Sequence, residues 1–199
     1  MLNKLVIATS NKHKLKEIEA IFKGNIVKEI MPMPHDINEI IENGNTFIEN
    51  SLIKAKAVYN HTKLPSLADD SGLCINALNG RPGIYSARYG GENLSYEEKI
   101  QMLLDELKNE EDRTACFITS AVCVLDDSYY IALEGKVNGK IIEKPRGIDG
   151  FGYDPIFQPE GYNITYAQMT LEEKNSISHR ALAIKKMKTI LSAIYSLQY

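Results

Sequence analysis

Two adjacent carboxylates, Asp69 and Asp70, stand inside the stretch Ser66-Leu67-Ala68-Asp69-Asp70-Ser71-Gly72-Leu73. Leu67 and Ala68 have the pattern of a buried strand's end, and Ser71-Gly72 that of a tight turn where glycine takes positive φ. Neighbouring strand residues point to opposite faces, so the two acids have separate tasks. One faces an open site while the other holds the turn or a supporting partner. A carboxylate so placed needs a cation, and a hard divalent ion such as Mg2+ suits it. An isolated Asp-Asp-Ser-Gly also reads as a plain solvated turn, so its meaning rests on what else the chain brings.

Three further stretches carry residue types of interest. Thr9-Ser10-Asn11-Lys12-His13-Lys14 follows the apolar run Leu5-Val6-Ile7-Ala8 and precedes a helical pattern. Such a loop offers backbone N–H groups to an anion, and Lys12 and Lys14 add charge. The glycine patterns of a Walker A loop and of a dinucleotide fingerprint are absent, and a simple strand-to-helix connection with solvated lysines looks the same. Glu42 lies just before the capping pattern Thr46-x-x-Glu49, where it can serve as a second ligand to an ion at Asp70. Arg146 to Pro155 is glycine-rich, which lets a backbone pass close to a ligand. Phe151 and Tyr153 there offer rings to a base, and Asp154 an acceptor; a turn with one core aromatic is the plainer reading. Lys174, His179 and Arg180 gather at the junction of two helical pieces.

The elements that must position these residues follow from periodicity. Leu5–Ala8 reads as a strand buried on both faces. Leu15, Ile18, Ile21 and Phe22 keep helical spacing, with Gly24-Asn25 as the end of that helix. Ile26–Ile30 is a second strand broken by Met31-Pro32-Met33-Pro34. The helix opened by Thr46 buries Ile48, Leu52, Ala55 and Tyr59 and leaves Lys54 off that face. Gly83–Gly91 is an ordered surface loop. Ser95-x-x-Glu98 caps a helix with the stripe Ile100, Leu103, Leu104 and Leu107. Ala115–Leu125 is a central strand. Asn138-Gly139 reads as the tight turn of a hairpin. Thr170-x-x-Glu173 caps another helical turn, and Met187, Ile190, Leu191 and Ile194 stripe the last helix.

The chain of 199 residues, 44% hydrophobic and 25% charged, is long enough for one domain or one domain with two lobes. A net charge of −3 argues against general nucleic-acid or membrane-surface binding. Cys74, Cys116 and Cys123 lie in apolar surroundings without metal-ligand spacing, the usage of reduced thiols in a cytoplasmic protein. The N-terminal apolar run is short for a signal peptide, and no stretch reaches membrane-spanning length.

In order along the chain stand Thr9-x-Asn11-x-x-Lys14, Thr46-Phe47-x-Glu49-Asn50-Ser51-x-x-Lys54-Ala55, Ala68–Leu73 with Pro82–Tyr89, Gly150-Phe151-Gly152-Tyr153-Asp154-Pro155, and Glu173-Lys174-Asn175-x-Ile177-Ser178-His179-Arg180. This array, spanning Val6 to Arg180, resembles the inosine triphosphate pyrophosphatase family. The resemblance implies hydrolysis of ITP, dITP and XTP to the monophosphate and pyrophosphate. It also implies an α/β fold, with an elongated mixed sheet flanked by helices and two lobes with a cleft between them. A homodimer and Mg2+ dependence complete what is implied. Carried over by position, Thr9, Ser10, Asn11, Lys12, His13 and Lys14 bind the triphosphate, and Lys54 and Ser71 touch phosphate or sugar. Glu42 and Asp70 hold the metal, Asp70 is also the proton acceptor, and Asp69 supports it. Phe151, Gly152, Tyr153, Asp154, Lys174, His179 and Arg180 shape the base pocket. Ser10 stands where glycine is common in the family, and Gln168 where an acid is usual. Two other readings compete: a Maf-like nucleotide pyrophosphatase, which lacks the Gly150–Asp154 and Ser178–Arg180 motifs, and a nucleotide-binding module without catalysis, which has little use for three carboxylates near phosphates.

Overall fold

The computed structural model describes residues 1–22, 26–91 and 93–196, so the helix end expected at Gly24-Asn25 lies outside the described residues. The elements are β1 (Leu2–Ile7), α1 (Lys12–Phe22), β2 (Val27–Pro32), α2 (Phe47–Thr62), β3 (Ser66–Ile75), α3 (Tyr96–Glu106), β4 (Thr114–Val124), β5 (Tyr130–Ile141), β6 (Phe157–Pro159), α4 (Leu171–Ile177) and α5 (His179–Ser196). The six strands form one sheet in the order β2-β1-β3-β4-β5-β6. β1 runs parallel to β2 and β3, while β5 and β6 are antiparallel, so the sheet is mixed, as expected.

By internal contacts the chain divides into two compact units. The first comprises Met1–Asp70, Thr119–Gly135 and Arg180–Tyr199. Its β1, buried at Leu5, Val6 and Ile7, feeds two apolar cores. One holds Leu5, Ile7 and Leu67 with Ile18 and Phe22 of α1 and Ala183, Ile184 and Met187 of α5. The other holds Val6, Ala8 and Ala68 with Ala55, Val58 and Tyr59 of α2. Alternation along β1 and β3 thus sends successive residues to different helices. The second unit comprises Ser71–Ile118 and Lys136–His179. Leu103 and Leu107 there pack with Leu73, Phe117, Phe157 and Tyr166.

Several local expectations change, the first being that β2 runs on through Met31 to Pro32, paired with Val6 and Ile7. β3 does not stop at Ala68 but runs through Asp69, Asp70, Ser71 and Gly72 to Ile75. Gly72 is needed for space and not for a turn: a Cβ there would run into the Gly83 carbonyl and meet Ser86 Oγ at 2.8 Å. β5 likewise runs straight through Asn138-Gly139, where Gly139 pairs with Pro159 and a side chain would strike the Phe157 ring. The expected hairpin turn is therefore a close approach between strands. Ile48 is 41% exposed, because the buried face of α2 is rotated to take in Asn50 and Ser51. Gly83–Arg88 winds into 3-10 turns that bury Ser86.

Candidate active site

The alternation of β3 decides what the two acids do. Asp69, with its side chain wholly buried, meets Lys14 Nζ at 3.0 Å and Arg180 Nε at 3.1 Å. Arg180 is itself buried and reaches Glu17 with Nη1 at 2.5 Å. Burial opposes its charge, but Asp69 and Glu17 together hold the guanidinium more firmly protonated than usual. Asp69 therefore positions two cations, and its own oxygens stay inside the fold.

Asp70 points the other way, toward α2. Its Oδ2 accepts from Asn50 Nδ2 at 3.2 Å, and its Oδ1 lies 3.6 Å from Lys54 Nζ. The same ammonium donates to Glu42 Oε2 at 2.8 Å. Desolvation, with the neighbouring Glu42 charge, pushes the Asp70 carboxyl above its ordinary pKa, against the pull of Lys54, Lys14 and the Asn50 bond. Burial likewise lowers the Lys14 pKa, against the attraction of Asp69.

Glu42 and Asp70 thus converge on one ammonium from two distant segments. Mg2+ is commonly held through one or two carboxylates together with substrate phosphates, and this donor set meets that need. No group of three His, Cys, Asp or Glu side chains gathers for a metal among the described residues. An ion here would complete its shell with phosphate and water.

The loop before α1 differs from expectation. Asn11 Oδ1 already accepts from the backbone N–H groups of His13 at 2.9 Å and Lys14 at 3.2 Å, and Thr9 Oγ1 from that of Asn11 at 3.1 Å. The helix start is capped by its own side chains, so those amides are not open to an anion. Positive charge from Lys14 and from the exposed Lys12 remains.

In the second unit, Lys174 Nζ meets Asp154 Oδ2 at 2.6 Å, with both side chains 4% exposed. The ammonium also lies 4.6 Å from the centre of the Phe151 ring and 5.7 Å from that of Tyr166. The same Asp154 oxygen accepts from Phe151 N at 2.8 Å, and Gly150 has φ +74°, where a Cβ would enter that carboxylate. Gly152, also at positive φ, sits beside the half-buried Phe151 ring. Tyr153 is core: its hydroxyl donates to the Ser86 carbonyl at 2.9 Å, and its ring meets Tyr96 edge-on. His179 is buried and stacks 4.5 Å from Phe117 at 8°. Ser71 is half-buried on β3. Gln168 closes a capping box by accepting from Thr165 N, a role that needs no charge.

Two residues escape a reading by pattern. Asn50 and Glu17 are polar side chains on otherwise apolar helical faces, and that mismatch was the available signal. Each is buried and each is bonded to a site residue.

The fold and this cluster define an α/β protein in which buried carboxylates and lysines gather at neighbouring positions of one strand. The chain belongs to the Ham1 family, whose model matches residues 5–190. It is 45% identical over 185 residues to the dITP/XTP pyrophosphatase of Treponema denticola, covering 91% of this chain and 94% of that protein. With the dITP/XTP pyrophosphatase of Geobacter sulfurreducens it shares 46% over 192 residues, covering 94% and 96%. The structure of a Ham1 protein from Coxiella burnetii superposes with a TM-score of 0.89 at 38% identity, over 96% of this chain and 100% of that one. The Staphylococcus aureus Ham1 protein gives 0.86 at 38%, over 96% and 99%. The family resemblance carried by the motifs is thereby borne out.

Proposed function

We propose that this protein hydrolyses the deaminated purine nucleoside triphosphates ITP, dITP and XTP to the monophosphate and pyrophosphate. The observation that carries the reading is the convergence of Glu42 and Asp70 on Lys54, in a chain 45% identical to a dITP/XTP pyrophosphatase. Water attacks the α-phosphorus, the α–β anhydride bond breaks, and pyrophosphate leaves with concentrated charge. Such a reaction is accelerated chiefly by positioning and by neutralising charge.

Asp70 takes the proton of the attacking water. Lys54 and Lys14 offset phosphate charge, and Asp69, itself anchored by Arg180, keeps Lys14 in place. When bound by Glu42 and Asp70, Mg2+ supplies further positive charge against the phosphate oxygens. In the second unit, Lys174 presents a donor held by Asp154 that suits the O6 of inosine or xanthine. Adenine brings a donor of its own to that position and leaves a buried donor unpaired, at a cost of about 1–3 kcal/mol. A homodimer and a cytoplasmic site of action belong to the same reading, the former testable by light scattering.

Incubation with ITP, XTP, ATP and GTP, with and without Mg2+, followed by a pyrophosphate assay, tests the proposal. Release from ITP and XTP well above that from ATP and GTP is expected. Orthophosphate as product, or equal release from all four, overturns it, and no release at all leaves a binding protein.

A further inference from the structure

At the end of β5, in the second unit, Arg113, Lys140, Lys144 and Arg146 line a pocket of about 460 Å3 together with a single acid, Glu143. None of these residues belongs to the cluster around Glu42, Lys54 and Asp70. Arg113 is fixed in place: Nε donates to the Ile141 carbonyl at 2.8 Å, Nη1 to that of Leu107 at 2.9 Å and Nη2 to that of Ile142 at 3.3 Å. These bonds hold a guanidinium at the pocket. They also engage the carbonyl oxygens of two of its lining residues, Ile141 and Ile142.

Lys140, Lys144 and Arg146 are exposed and form no ion pair among the described residues. Surface cations elsewhere do find carboxylates, as Lys4 does with Glu29, Lys63 with Asp127 and Arg81 with Glu106. Four like charges around one concavity, offset by one acid, form a local positive field in a chain of net charge −3. The charge density matches an anion with several charges close together. A pocket of this size suits a compact ion, whereas single-stranded nucleic acid needs a groove that tracks its backbone and aromatic rings on which bases stack.

We propose that this pocket binds a compact polyphosphate, either free pyrophosphate or the phosphate tail of a nucleotide, through Arg113, Lys140, Lys144 and Arg146. The site is independent of whether the chain cleaves nucleotides.

Calorimetric titration of the full chain with pyrophosphate, without divalent ions and at low and high salt, tests it. The double variant Lys140→Ala/Lys144→Ala should bind pyrophosphate at this site about tenfold more weakly or worse, and the charge reversal Lys140→Glu should do the same. A Lys14→Ala/Lys54→Ala variant should keep this binding event, with circular dichroism showing each variant folded. A parallel titration with ATP separates the two sources: ATP displacing pyrophosphate in a Lys140-dependent manner identifies the nucleotide tail, and pyrophosphate binding alone identifies the free ion. Unchanged pyrophosphate affinity in the Lys140→Ala/Lys144→Ala variant overturns the site. So does loss of all binding in the Lys14→Ala/Lys54→Ala variant. An oligonucleotide that binds the same residues more tightly than pyrophosphate replaces the proposal with a nucleic-acid site.

Discussion

The two units bury charge in opposite manners. In the first, Asp69, Glu17, Lys14 and Arg180 form a continuous chain of ion pairs, and a second set, Asp70, Glu42 and Lys54, hangs on the next residue of the same strand. In the second, buried cations are local and ringed by aromatics: Lys174 pairs with Asp154 beside Phe151 and Tyr166, and Lys99 donates to the Ala87 carbonyl beside Tyr96. A network with several cations can meet a ligand of high charge, because its members share the field. A single satisfied pair serves a different end, since any ligand group it meets must match one donor and one acceptor. On the proposed reading, strength of charge belongs to the first arrangement and discrimination to the second.

The sharpest way to break this contrast is Asp70→Asn. The side chain keeps its shape but loses its basicity, so turnover of ITP should fall by about 10²–10⁴-fold while the circular dichroism spectrum stays unchanged. A variant with near wild-type rates would remove Asp70 from the chemistry. Next in size is Glu17→Ala, which removes one of the carboxylates that hold the buried Arg180 and leaves it on Asp69. Breaking a buried pair by deleting one partner costs about 3–5 kcal/mol, so the urea midpoint should drop sharply. A change below about 1 kcal/mol would mean that Arg180 is effectively neutralised by Asp69 alone.

How far these arrangements were legible in the sequence differs between the units. β1, α1 and the capped starts of α2, α3 and α4 follow from apolar spacing and from Thr46, Ser95 and Thr170, all of which cap as their patterns require. The opposite tasks of Asp69 and Asp70 follow from strand alternation, although the strand itself continues through a stretch that reads as a turn. Gly72 and Gly139 mislead for one reason. Local sequence cannot tell a glycine that bends the chain from one that makes room for a partner far along it, here Gly83 and Phe157. The burial of Arg180 is equally illegible, since Glu17 lies 163 positions away in sequence. The region from Ala115 to Ile142 reads as structural throughout, yet Lys140 borders a basic pocket because Arg113, Lys144 and Arg146 come to the same strand end.

A smaller effect sharpens the second half of the contrast. Lys174→Met keeps much of the side chain's volume but removes the ammonium that Asp154 holds beside the Phe151 N–H. Discrimination of ITP over ATP, read as the ratio of kcat/KM values, should narrow by about 1–3 kcal/mol in free energy, roughly 5–150-fold. The same substitution should leave Lys54 and Asp70 untouched, so the loss should show mainly in selection among bases. A uniform fall for ITP and ATP alike would assign Lys174 to general binding.

The smallest expected effect lies in stability against pH. Desolvation raises the Asp70 carboxyl above its ordinary pKa of 3.8, so the folded protein binds a proton there more tightly than the unfolded chain does. Stability attached to this group is therefore greatest below 3.8 and is lost as pH climbs from that value through the raised one. Above the window the ionised Asp70 is a standing cost to the fold, which Asn at the same position does not incur. Asp70→Asn should thus melt slightly higher than wild type at pH 7, and the gap should close as pH falls toward 3.8. Thermal melts of both proteins across that range decide the matter. A variant less stable than wild type at pH 7 would mean that Lys54 and Lys14 outweigh burial, and that the ionised carboxylate supports the fold even as it serves the reaction.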